Sequence, residues 1–436
     1  MIATKVALAV GVVWLLGAFG LAQVGVRRGG LLGLAADFAA GVVVLALVGS
    51  IAVITGMRLS PIAVYALVAA FAVVAAVRRR GVGVALELPR DVVARPLLVA
   101  AVLPILLLGL SSLGDRLWWD GWAIWAFKAR MLFVDGTLPA AYFEPRGRLA
   151  FSHPGYPLAV PMLDWWLFRH AGAADPAIAS IAGTLWHALL VGAVFGALRS
   201  RAGERLAALA ALGTAFFWPI AFYASGGTAD VVVAIALVAG LSEMETGVAN
   251  DDVASSTRSG VFLALGAMAK AEGLAVACAV GAVALFSLLR RRALRRAHVL
   301  AYALPFIVLA PWQAFVAIRG VGRDFFTIAI TPAELYDRAV IFFGAVGTIA
   351  LKPTWLPIVG LLALGIVRRS SNEAWIALAG YFAAIAAPYL FTPVDHGWLV
   401  DTSLVRVLAA CVPAALYVAL AGTVGKTVVE DRVHAT

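Results

Sequence analysis

The stretch SGVFLALGAMAKAEGLAVACAVGAVALFSLL, residues 259–289, decides how this chain is laid out. It is long enough for one tilted membrane helix, yet its centre reads Met268-Ala-Lys270-Ala-Glu272-Gly273. Two charges and a glycine suit a turn, because a charged side chain at the centre of a bilayer costs about 2.5–3.5 kcal/mol on insertion scales. Arg258 precedes the stretch and Arg290 follows it. Basic residues are retained on the cytoplasmic side. If both arginines are inside, the stretch crosses twice, as a hairpin whose turn lies near the outer face. A single tilted crossing is the alternative, and it would invert everything downstream.

The rest of the chain agrees with a membrane reading. Of 436 residues, 63% are hydrophobic and 13% charged, and mean hydropathy is +0.96. Soluble domains carry about 25% charge, so a soluble multidomain fold is excluded. A spanning helix needs about 20 mostly apolar residues. Segments of that kind run over 2–26, 31–56, 58–77, 96–114, 174–198, 205–223, 229–247, 297–318, 339–366, 373–391 and 404–423. The basic groups Arg27 and Arg28, Arg78 to Arg80, Arg199 with Arg201 and Arg205, Arg290 to Arg296, Arg368 with Arg369, and the tail with Lys426 and Arg432 are all expected inside. The fold expected is therefore an all-α polytopic membrane protein of about 11–13 transmembrane helices, with the N terminus outside and the C terminus inside. The apolar run after Lys5 is long for a signal-peptide core and reads as a retained helix. The net charge of +10 then reflects topology and not a nucleic-acid partner. Cys278 and Cys411 both sit in apolar runs, so no disulfide framework is indicated.

The outer face receives 115–173, 224–229, 319–338 and 392–403, and polar chemistry gathers there. Segment 115–173 holds two aromatic stretches, Leu117 to Phe133 and Tyr156 to Phe168, expected as interfacial helices. At about 100° per residue, Trp118, Trp122 and Trp125 form one stripe toward lipid headgroups. Asp120 points away from it, toward protein. A carboxylate among aromatics suits acid–base work; a helix cap, or Asp115 paired with Arg116, is the plain reading. His153-Pro-Gly-Tyr156-Pro makes a rigid lead into the second stretch, and His153 is either a site residue or a solvated turn residue. Lys270 can hold a phosphate or pair with Glu272. Arg406 can bind two phosphate oxygens with its fork or snorkel to headgroups. Asp230, after Ser225-Gly-Gly-Thr, is a site residue or a cap. The run Arg290 to Arg296 reads as an anchor on anionic lipid. Metal-ligand spacings, glycine-rich phosphate loops and nucleophile elbows are absent from the sequence.

In this order, Trp119-Asp120-Gly-Trp-Ala-Ile-Trp-Ala-Phe-Lys128, His153-Pro-Gly-Tyr156, Ser225 to Asp230, Lys270-Ala-Glu272-Gly273 and Ser403-Leu-Val-Arg406, the chain resembles the GT-C superfamily of integral-membrane glycosyltransferases, similar to protein O-mannosyltransferases and lipid A aminoarabinose transferase. The resemblance covers roughly 96 to 425, leaving the helices of 1–95 outside it and 426–436 as a cytoplasmic tail. It implies a polyprenyl-phosphate-linked sugar donor, a glycan, lipid or protein acceptor, and an active site on the outer face of a bacterial plasma membrane. By the same resemblance Asp120 is the base, with Asp115 in reserve. Lys270 and Arg406 bind donor phosphate, and His153, Tyr156, Trp119, Asp230 and Glu272 contact substrate. Gly121 stands where many relatives carry a second acid, so a two-carboxylate metal site is not implied. No cofactor is indicated; a divalent metal is compatible with the carboxylates but nothing points to one. Two other classes remain open: a transporter or flippase of a lipid-linked sugar, and a non-catalytic membrane subunit of a cell-envelope complex.

Overall fold

The computed structural model describes residues 2–26, 30–78, 89–112, 114, 117–144, 147–321, 330–367 and 372–421. These form sixteen α-helices and, among the described residues, no strand. The first four are α1 (Ile2–Gln23), α2 (Gly30–Thr55), α3 (Pro61–Val77) and α4 (Ala94–Ser112). Two short ones follow in the loop region, α5 (Phe127–Asp135) and α6 (Ala159–Ala171). The central set is α7 (Pro176–Phe216), α8 (Trp218–Ser225), α9 (Asp230–Asn250), α10 (Val253–Ala267), α11 (Ala271–Arg290) and α12 (Arg296–Ile318). The last are α13 (Pro332–Ala350), α14 (Leu356–Val367), α15 (Asn372–Phe391) and α16 (His396–Leu420). Nine of the described helices are long and apolar enough to cross a bilayer. The chain is a multi-pass, all-helical membrane protein.

Helix α7 is two helices in one. Gly203, at φ 80° and ψ 163°, breaks it, and the backbone of Thr214 lies beside His187. A straight helix, rising about 1.5 Å per residue, would hold those two residues about 40 Å apart, so α7 folds back on itself at Gly203. The expected pair 174–198 and 205–223 is this hairpin, except that the second arm ends at Phe216 and α8 restarts at Trp218.

Residues 259–289 also break where the charges predicted. α10 ends at Ala267, α11 begins at Ala271, and Lys270 adopts extended φ/ψ between them. The two arms return to the same end. Arg291, after α11, donates to the Val248 carbonyl near the end of α9 (3.5 Å), and His298 at the start of α12 reaches Ser256 (2.9 Å). Close contact between the arms depends on glycine: a Cβ on Gly273 would lie 1.9 Å from the Gly266 carbonyl oxygen.

Two other boundaries differ from expectation. The segment 339–366 is two helices, α13 and α14, separated by a turn at 351–355. α13 starts earlier, at Pro332, because Thr331 and Glu334 cap it reciprocally. α16 starts at His396, eight residues before the apolar run, because Asp395 caps it by accepting from the Trp398 amide (2.7 Å). The second aromatic stretch is no surface helix either. α6 is almost wholly buried against α1, α2 and α5, and its Trp166 donates to the Ala9 carbonyl of α1 (2.9 Å).

The close arm contact gives a stability test. Gly273→Ala forces the hairpin arms apart, and overpacking of this kind costs about 1–3 kcal/mol. Gly344→Ala in α13 meets open space. Thermal unfolding in one detergent should show a lower midpoint for the first variant and no loss for the second; equal midpoints would mean the arms are not packed this way.

Candidate functional site

The helix ends sort the charges. One end of the bundle gathers the starts of α9 and α11 and the loop segment 117–158. The other holds Arg199 with Glu204, Arg205 with Asp91, Arg258 with Glu243, Arg291 with Glu373, and Arg295 with Asp251. The described basic clusters expected on one side therefore do share one end. Arg27, Arg28, Arg79, Arg80, Arg368, Arg369, Lys426 and Arg432 lie outside the described residues.

At the first end, five charged side chains from distant parts of the chain join into one network. Lys270 Nζ lies 3.1 Å from Asp230 Oδ1 and 2.9 Å from Glu272 Oε1. Arg406 Nη1 donates to Asp120 Oδ2. Arg406 Nε lies 3.3 Å from Asp230 Oδ2. Asp230, the first residue of α9, thus stands between both cations and is buried. Arg406 lies ten residues into α16, about 15 Å along it, and not at its tip. The network accordingly sits beneath that end of the bundle. Two buried atoms within it make no hydrogen bond among the described residues, Arg406 Nε and Glu272 Oε2. Both cations already have carboxylate partners: the Lys270–Glu272 pair was one of the two readings of Lys270, whereas the pairing of Lys270 and Arg406 with Asp230 and of Arg406 with Asp120 was not anticipated.

Asp120 is positioned by backbone contact. Residues 121–126 wind as a π-helix before α5. A Cβ on Gly121 would lie 2.0 Å from the Gly226 carbonyl oxygen, and Trp118 N donates to that same carbonyl (3.0 Å). Glycine at 121 therefore lets the Ser225–Asp230 turn lie directly against this segment, which brings Asp120 near Asp230. The π winding also corrects the tryptophan stripe. Trp118 and Trp122 are exposed, but Trp125 is 1% exposed and packed inside, because i→i+5 winding turns less per residue than the α-helix assumed. Trp119 is 58% exposed and meets Trp122 edge-on at 5.0 Å. Asp115 lies outside the described residues.

Beside the network, three rings stack in series. Trp125 stacks on Tyr156 (5.5 Å, 10°), and Tyr156 on His153 (5.0 Å, 14°). The loop that presents them is held by buried donors. Lys128 Nζ donates to the carbonyls of His153 (2.8 Å) and Tyr156 (3.1 Å), and Trp312 Nε1 to that of Gly155 (2.9 Å). His153 itself takes a left-handed conformation, φ 48°. Lys128 is the residue the sequence reading missed. Its signal was a lysine within an aromatic stretch, and it is fully buried with its ammonium near the Trp125 and Tyr156 rings.

Burial sets the protonation around this loop. It holds Lys128 well below the ordinary lysine range. His153 is lowered to about 4, first by burial and then by the Lys128 charge, with Asp120 opposing. Burial holds the Tyr156 phenol above its ordinary value, with Glu272 adding to the rise. His153 is therefore a neutral imidazole at pH 7, able to donate or accept a hydrogen bond and to offer a flat ring.

Among the described residues, no group of three or more His, Cys, Asp or Glu side chains gathers as a metal site. The three carboxylates here are separated by Lys270 and Arg406. Comparison with protein-family models, curated proteins and solved structures finds no match.

The loop geometry yields a titration test. Lys128→Met removes a cation that depresses His153, so the ring should titrate above about 4. Histidine-labelled NMR spectra, assigned with His153→Gln, would read this; an unchanged titration would remove Lys128 from the loop. Stability has a matching sign. The unfolded ring takes a proton near pH 6.5 and the folded ring near 4, so His153 makes the fold less stable as pH falls through that window.

Proposed function

We propose that the chain is a glycosyltransferase that moves a sugar from a polyprenyl-phosphate donor to an acceptor hydroxyl on the outer face of a bacterial membrane, within the GT-C class. The observation that carries this reading is the convergence of Asp120, Asp230, Lys270, Glu272 and Arg406 in one network at one end of the bundle. The segments supplying them are remote in sequence, and ionisable groups inside a membrane protein are retained for function. The basic clusters at the opposite end support a cytoplasmic placement of that end, and with it an outward-facing network. A site beneath the rim, beside exposed Trp118, Trp119 and Trp122, suits a substrate whose reactive group is carried by a lipid, since such rings favour the membrane–water interface.

In this mechanism the donor phosphate lies against Arg406 and Lys270. Asp120 takes the proton of the acceptor hydroxyl as its oxygen bonds to the anomeric carbon. The bond from that carbon to the phosphate oxygen breaks, its electron pair stays on the phosphate, and configuration inverts. The leaving polyprenyl phosphate gains negative charge, which the two cations stabilise as it develops. Neutral His153, at the end of its ring stack, and Trp119 bound the sugar. Asp230 keeps Lys270 and Arg406 in register, and Glu272 steadies Lys270.

The test uses the donor that the unaltered protein turns over. Asp120→Asn should lower turnover about 10²–10⁴-fold, the range for a lost general base. Arg406→Ala should weaken donor binding and slow transfer together. Folded Asp120→Asn with full turnover removes the base role. Unchanged donor affinity in Arg406→Ala leaves Arg406 as a structural cation only.

A further inference from the structure

We infer that Asp120 and a ligand phosphate compete for the same edge of Arg406, so that seating the phosphate is the event that releases Asp120. This rests on the reading of the site given above and adds the order in which its parts engage.

The network has two cations and three carboxylates, so it has no spare positive charge. A phosphate that grips the fork end of Arg406 with two oxygens meets a carboxylate already bound there. Asp230 cannot be the one that leaves. It is buried at the first turn of α9, with one oxygen facing Lys270 and the other Arg406. Asp120 and Glu272 are on the rim, with 21% and 22% of their side chains exposed. Glu272 holds Lys270, whose ammonium also keeps Asp230. Asp120 holds Nη1 of Arg406, at the fork end of the guanidinium, whereas Asp230 faces Nε. The fork end is the part that grips two phosphate oxygens at once. A phosphate seated there takes the position of Asp120 and leaves the contact with Asp230 in place. Asp120 also leads into the π-helical turn at 121–126, a form of winding found at functional sites.

The consequence is ordered. Without donor, Asp120 Oδ2 is occupied by the hydrogen bond from Arg406. With donor seated, Asp120 has lost that partner and faces the acceptor hydroxyl. After transfer the phosphate departs and Asp120 returns to Arg406. No atom is consumed by the exchange; the hydroxyl proton passes to Asp120 and leaves to solvent as the pair re-forms.

Removing the competitor should therefore strengthen binding. The full-length protein in detergent is titrated calorimetrically with a polyprenyl phosphate and, separately, with inorganic phosphate. Asp120→Asn should bind the polyprenyl phosphate about tenfold tighter, as expected for loss of one competing charge-assisted hydrogen bond. Glu272→Gln should show less gain. Tightening restricted to the polyprenyl phosphate identifies a lipid headgroup as the ligand; tightening toward both probes extends the site to free phosphate. Equal or weaker binding of both probes by Asp120→Asn overturns the exchange, as does a larger gain in Glu272→Gln. Asp120→Ala, with the same expectation, replaces Asp120→Asn if the latter does not fold. The base role stands or falls separately. Tight binding with full turnover removes the base and leaves the exchange, while unchanged binding with lost turnover removes the exchange and leaves the base.

Discussion

Everything at the site end depends on neutralising Asp230. A carboxylate buried at the start of a membrane helix is tolerable only when paired, and breaking a buried pair costs about 3–5 kcal/mol. Lys270 and Arg406 supply the pairing, from the α10–α11 turn and from within α16. That requirement ties three helix segments to a common point. Arg406 then extends the tie to Asp120 and the loop segment that carries it. The network is thus both an anchor between helices and a cluster of reactive groups. Under the proposed function these roles are compatible: Lys270 and Arg406, fixed by Asp230 before a substrate arrives, need no reorganisation during reaction, and Asp120 alone changes partner.

A second frame holds the aromatic part of the site without countercharge. Lys128 spends its ammonium on two backbone carbonyls of the 153–156 loop, and Trp312 caps a third. α6 supports that loop from below, and α1 covers α6 through the Trp166–Ala9 hydrogen bond. The N-terminal helices α1 and α2 therefore pack onto the helix that directly follows the 153–156 loop.

Much of this was legible in the sequence, for identifiable reasons. Lys270, Glu272 and Gly273 in an apolar run marked a turn because charge and glycine are both costly in a spanning helix, and the chain does turn there. Arg258 and Arg290, expected on one side, do lie at the same end of the bundle. What hydropathy hid were features set by capping and tertiary contact. The start of α16 was obscured because His396, Trp398 and Asp401 are not a uniform apolar run, although Asp395 caps it. The capping box at Thr331 and Glu334 was readable as Thr-Pro-Ala-Glu but was passed over within a presumed loop. Burial of α6 and Trp125 was not readable, since an interfacial helix and a covered one share the same aromatic composition, and π winding leaves no periodic signature. The pairing of Asp120 with Arg406 was beyond any local pattern, because 286 residues separate them.

The central claim is that this network does chemistry on a lipid-borne phosphate. The most direct measurement reconstitutes the whole protein in proteoliposomes with a panel of radiolabelled polyprenyl-phosphate sugars and candidate glycan, lipid and protein acceptors. Label should pass from one of these donors to an acceptor, with polyprenyl phosphate as the second product. Movement of intact lipid-linked sugar between leaflets, with no transfer from any donor, would contradict the account and make the network part of a transport path.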